Sequence, residues 1–177
     1  MKQAIGNFLL SPSFQNSIWA GPVRRMIRAT SSVYSYSPHF LSDMQVIQRP
    51  HYAYCLLRAA DLARRLDIPK ISAIEFGVAG GNGLAFMRDF SREVTKATGI
   101  EIDCYGFDTG QGMPDPEGPK DLPFWFRAAQ YRMDQDKLRA RLPDATIVIG
   151  DIRETVGSFV EKYKPAPIGV IFNDTDY

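Results

Sequence analysis

Between Tyr52 and Leu66, apolar residues return at steps of three and four (Tyr52, Cys55, Leu56, Ala59, Leu62, Ala63 and Leu66), with Arg58, Asp61, Arg64 and Arg65 opposite them. This spacing predicts an amphipathic helix, and "DIPK" ends it because Pro69 disfavours helical geometry in the residue before it. "ISAIEF" then reads as a short buried strand. After a run of glycines, Leu84, Met87, Phe90, Val94 and Ala97 share one stripe, so a second helix is expected from about Gly83 to Thr98. "IDCYGF", Ile102 to Phe107, is the next strand. A long loop follows, "DTGQGMPDPEGPKDLP", with four prolines and three glycines. "FWFRAAQYRMDQDKLRARL" is partly helical, with Asp134 as its cap before Leu138 and Leu142. "ATIVIG" is a third strand, "RETVGSFVEKY" a third helix and "IGVIF" a fourth strand.

Strands alternating with helices in this way predict an α/β fold, a Rossmann-like, doubly wound and mostly parallel sheet with helices on both faces. Right-handed crossovers put the carboxyl ends of all four strands on one edge, where ligands of such sheets bind. Those ends fall at Glu75 to Gly77, Asp108, Asp151 and Asp174, each with a carboxylate. Residues 1–45 show no sustained period and read as an arm or a set of short helices, ahead of the sheet domain at 46–177. A basic cluster there, Arg24, Arg25 and Arg28, is either a solvated helix face or a contact for an anionic surface or phosphate.

Composition narrows the function. The chain has 177 residues, 45% of them hydrophobic, and a formal charge of +1. That length supports one sizeable core, and the balanced charge lacks the basic excess of a nucleic-acid binder. Cys55 and Cys104 are too far apart for a metal knuckle, and His39 and His51 are not at ligand spacing, so a buried, reduced cysteine pair and a cytoplasmic location are expected. "FLL" is too short for a signal peptide, and no run of eighteen apolar residues could span a membrane.

The candidate chemistry starts at "EFGVAGGNG", Glu75 to Gly83. A glycine loop between strand and helix lets backbone N–H groups approach a nucleotide-like ligand. The dinucleotide pattern G-x-G-x-x-G fails here, because Ala79 stands at its second glycine when counted from Gly77 and Phe86 at its third when counted from Gly81; no Gly-Lys-Ser/Thr follows for a phosphate loop. A carboxylate at Glu75 would also repel a pyrophosphate by roughly 1 kcal/mol or more in a partly shielded site. It suits a ligand with a positive group, such as S-adenosylmethionine with its ammonium and sulfonium.

The order of acid-x-Gly-x-x-x-Gly after the first strand, an acid ending the second and Gly-Asp ending the third resembles class I S-adenosylmethionine-dependent methyltransferases. More narrowly, "EFGVAGG", "YGFDTGQGMP", "GDIRETV" and "FNDTDY" resemble the macrocin O-methyltransferase family, over about Tyr52 to Tyr177. The resemblance implies that Glu75, Gly77 and Gly81 frame the methionine end of the cofactor, with the loop backbone through Ala79 and Gly80 beneath it. It implies that Asp108 accepts hydrogen bonds from the ribose hydroxyls and that Asp151 and Ile152 sit at the adenine. Structural alternatives stand beside these: Asp151 as a helix cap ahead of "RETV", and Glu75 and Asp108 as loop carboxylates.

Methyl transfer to a hydroxyl needs a base, a metal or close positioning. Asp174 and Asp176 are two apart, so an extended chain points both to one face, where they could approach one Mg2+ or cap a strand. Asp174 is the candidate base or metal ligand. The resembled family completes its metal site with acids further along, and the present sequence stops at Tyr177. Four strands against the usual seven suggest a methyltransferase fold lacking its C-terminal strands, with an open sheet edge that allows pairing into a homo-oligomer. The expected activity is O-methylation of a small-molecule or glycan hydroxyl. The rivals are a module that binds cofactor without turnover and a nicotinamide-dependent oxidoreductase. Phe124, Trp125 and Phe126 are either a lid on the acceptor pocket or a plug in the core, and His51 reads as a cap or surface residue before a base.

Overall fold

A computed structural model describes residues 2–31 and 33–176. Met1, Ser32 and Tyr177, the last position of "FNDTDY", lie outside the described residues. The sheet is built from β1 (Lys70–Phe76), β2 (Glu101–Asp108), β3 (Thr146–Ile149) and β4 (Ile168–Asn173). All pairings are parallel, and the order across the sheet is β3-β2-β1-β4. This is the Rossmann-like order, with the chain moving outward from β1 through β2 to β3 and then crossing back to the other side of β1. The doubly wound α/β expectation holds.

Before the sheet come helices α1 (Lys2–Leu9), α2 (Pro12–Gln15), α3 (Ala20–Thr30), α4 (Pro38–Asp43) and α5 (Pro50–Arg65); between strands lie α6 (Asn82–Thr98), α7 (Gln135–Arg141) and α8 (Ile152–Tyr163). Ile71 and Ala73 of β1, Cys104 of β2 and Phe172 of β4 face α5, α6 and α7 in one core, with Leu56, Leu84, Met87 and Leu138 among its fillers. The alternate residues Ile74, Tyr105, Phe107 and Val148 face α8 through Phe159. Period-two alternation thus serves two helical layers at once.

The first four helices close on a smaller core of Phe14, Ala20, Ile27, Met44 and Val46. Two members of the basic cluster are used in this packing, Arg24 donating to the Met44 carbonyl (3.0 Å) and Arg28 to that of Val46 (3.3 Å), while Arg25 is exposed. Both cysteines are free thiols, but only Cys104 is buried, where desolvation pushes its thiol up to about 11; Cys55 is half-buried. No described helix is long and apolar enough to cross a membrane.

Candidate functional site

At the carboxyl edge, backbone bonds continue the ladders past the strands. Gly77 N–H donates to the Phe107 carbonyl (2.9 Å), Asp174 N–H to that of Phe76 (2.8 Å) and Gly150 N–H to that of Asp108 (3.0 Å). These bonds set Asp151, Asp108, the glycine loop and Asp174 along one edge, in strand order. Gly77 has φ +86, and a Cβ there would stand 2.5 Å from the Asp174 carbonyl oxygen, so the loop and the end of β4 meet in a contact that only glycine permits.

A cleft of about 600 Å3 opens at this edge, inside the range of small-molecule sites (roughly 300–1,000 Å3). Gly77 and Ala79 form part of its lining, with Asp108, Asp151, Ile152, Asp174 and Asp176. Gly80 and Gly81 do not line it; Gly81, at φ +77, is the residue from which α6 starts. The long loop after β2 borders the same space through Met113, Pro114, Asp115, Glu117 and Asp121, and Tyr131 adds an aromatic ring. Phe124 and Trp125 are 79% and 72% exposed and line neither the cleft nor the core.

Each expected carboxylate has a defined place. Asp108 accepts three backbone hydrogen bonds, from Val78 and Ala79 at one oxygen (2.9 Å each) and from Gly110 at the other (2.7 Å), so it ties the glycine loop to the loop after β2. Asp151 is the N-cap of α8, taking the Arg153 N–H at 2.8 Å, and its carboxylate pairs with the Arg153 guanidinium at 2.6 Å; Arg153 holds it down at about 2. The cap geometry and a place in the cleft coexist. Among the described residues no three His, Cys, Asp or Glu gather as a metal cluster, so Asp174 and Asp176 stand without a third such ligand.

Glu75 lies away from the cleft. It shares a strand face with Ile71 and Ala73, which turns it under α6, and it is 1% exposed. Room for it comes from Gly83, where any Cβ would run into its carboxylate. Tyr52 of α5 donates to Glu75 Oε1 at 2.6 Å, while Oε2 has no partner of normal hydrogen-bond geometry. Burial drives Glu75 up from 4.5 to about 7 and outweighs the Tyr52 hydrogen bond, which favours the ionised form; the nearby Asp174 charge adds to the rise. Burial, then the Glu75 hydrogen bond and charge, push the Tyr52 phenol well up, so it stays a donor. Pattern reading assigned Tyr52 to the apolar stripe. The available signal was its type, because a buried tyrosine usually needs a partner for its hydroxyl.

No protein-family model and no curated protein matches the chain. Among solved structures, it is similar to the calicheamicin methyltransferase CalS11, at 21% identity and TM-score 0.47, covering 93% of this chain and 68% of that one. The apo structure of CalS11, described as a TDP-rhamnose 3'-O-methyltransferase of calicheamicin biosynthesis, matches at 22% identity and TM-score 0.39, covering 93% and 67%.

Proposed function

We propose that the chain binds S-adenosylmethionine in this cleft as the cofactor part of a methyltransferase, acting on a hydroxyl of a small molecule or glycan. The observation that carries the reading is the charge of the cleft. Its lining holds seven carboxylates (Asp108, Asp115, Glu117, Asp121, Asp151, Asp174 and Asp176) against one basic side chain, Arg153, which is already paired with Asp151. A pyrophosphate-bearing dinucleotide would enter against that field, whereas a ligand with an ammonium and a sulfonium enters with it. The nicotinamide-dependent alternative loses its support on the same ground.

In this reading Gly77 and Ala79 supply the floor and Ile152 an apolar wall. Asp108 has used three of about four acceptor positions, which leaves one for a ribose hydroxyl. The cofactor supplies an electrophilic methyl group when bound. Asp174, at the rim with its side chain 57% exposed, would accept the proton of an acceptor hydroxyl brought against that group. Mg2+ at Asp174 and Asp176 would draw its remaining ligands from water or acceptor. The resemblance to the macrocin O-methyltransferase family supports the hydroxyl acceptor. The test is calorimetric titration with S-adenosylhomocysteine, with NAD as control and with Mg2+ present or absent. Micromolar binding of the first and none of the second is expected; binding of NAD alone would overturn the assignment.

A further inference from the structure

Asp174 belongs to the cleft by its place after β4, yet two groups from the start of α5, upstream of the sheet, approach its carboxylate: Arg49, the residue before the helix, and Tyr52. Arg49 Nη1 stands 3.8 Å from Asp174 Oδ2, and the Tyr52 hydroxyl 3.5 Å from the same oxygen. The Tyr52 ring has little freedom. It stacks on Phe172 of β4 at 3.9 Å with the planes 6° apart, and takes edge contacts from His51 and Phe86. Phe172 and Asp174 are two apart, so a ring seated on the first delivers its hydroxyl beside the second. Below, the hydroxyl is tied to buried Glu75 at 2.6 Å.

Arg49 carries an independent mark. It precedes Pro50, which favours extended backbone in the residue before it, yet it sits at φ 45, ψ 61 in the left-handed region. In that conformation its guanidinium lies 5.3 Å from the centre of the Tyr52 ring, on the path to Asp174. An arginine needed only for solubility would not require such a backbone. A tyrosine needed only to fill the core could be phenylalanine.

We propose that Arg49 and Tyr52 are positioning residues for Asp174: α5 reaches across β4 and fixes the direction of the carboxylate at the rim of the cleft, with Glu75 anchoring Tyr52 from beneath. The inference deepens the methyltransferase reading and rests on it for the role of Asp174. The Tyr52 hydroxyl gives its one proton to Glu75, so Arg49 supplies the attraction to Asp174 Oδ2, and the Tyr52 ring, held on Phe172 and lying under the Arg49 guanidinium, sets where that charge stands.

The test combines Tyr52→Phe and Arg49→Ala, singly and each with Asp174→Asn, in 15N relaxation and in titration with S-adenosylhomocysteine. Each single variant should lower the order parameters of Thr175 and Asp176 from the rigid range near 0.85 toward 0.6. Asp174→Asn, which removes one of the cleft charges, should weaken binding by about threefold to tenfold, and each double variant should bind no more weakly than Asp174→Asn alone. Arg49→Lys, which keeps the charge, should recover part of the lost order. Order parameters that stay unchanged, or losses that add in the double variants, would overturn the proposal and leave Tyr52 a core residue. Should wild-type protein not bind S-adenosylhomocysteine, the cofactor reading fails, and the relaxation data still decide whether α5 holds the end of β4.

Discussion

A carboxylate offers about four acceptor positions, and Asp108 commits three to Val78, Ala79 and Gly110. Both oxygens are needed, because the donors arrive from two sides. Asp108→Asn should therefore fail nearly as Asp108→Ala does, since its amide NH2 would confront an N–H. Both variants should weaken S-adenosylhomocysteine binding by roughly 1.5–3 kcal/mol, the range for hydrogen bonds to a charged group. Amide exchange at Val78, Ala79 and Gly110 should accelerate; binding lost with exchange unchanged would give Asp108 a purely ligand-facing role. Ala79 lies in the same loop at φ 47, which costs an L-residue about 1–2 kcal/mol. The sequence made Asp108 visible as the acid that ends a strand. Its backbone partners were not legible, because they depend on how two loops distant in sequence meet.

At the scale of the element, α6 shows how a strand residue constrains a helix. Replacing a helical glycine by alanine ordinarily stabilises by about 1 kcal/mol. Gly83→Ala should instead destabilise by roughly 1–3 kcal/mol, because its methyl would overlap the Glu75 carboxylate under the first turn of the helix. Urea denaturation checks this, and Glu75→Ala in the same chain should recover part of the loss; a stabilised Gly83→Ala would show that Glu75 can move aside. The helices were legible from their period, but not always the buried face. For α5 the pattern put Leu62 and Leu66 inward, and they are 48% and 58% exposed, while Ala53, Leu57 and Ala60 are buried. The helix carries two apolar stripes, and packing against α4, α6 and β4, which local spacing does not encode, selects between them. Strands β1, β2, β3 and β4 came out within about a residue, since short apolar runs between turn signals leave little choice.

For the whole molecule, parallel strands and one ligand edge followed from alternation alone, whereas the burial of Glu75 did not, because a carboxylate in a glycine-rich stretch reads first as a ligand group. That burial should shape stability against pH. Its carboxyl titrates near 4.5 when unfolded and near 7 when folded, so between those values the folded chain holds this proton more fully than the unfolded chain does. Stability should fall as pH rises from about 4.5 to about 7 and level off above, by up to about 3 kcal/mol from this one group. Glu75→Gln keeps an acceptor for Tyr52 and carries no charge, so it should remove this fall and gain on wild type at pH 8 while matching it more closely at pH 5. Denaturation of both proteins at the two pH values is sufficient. Parallel changes would place the ionised carboxylate in a better-solvated setting than its 1% exposure implies. The expected divergence would mean that the fold carries a buried acid next to the rim of its own cleft at a cost in stability, the pattern expected where a polar group is kept for what it positions and not for what it stabilises.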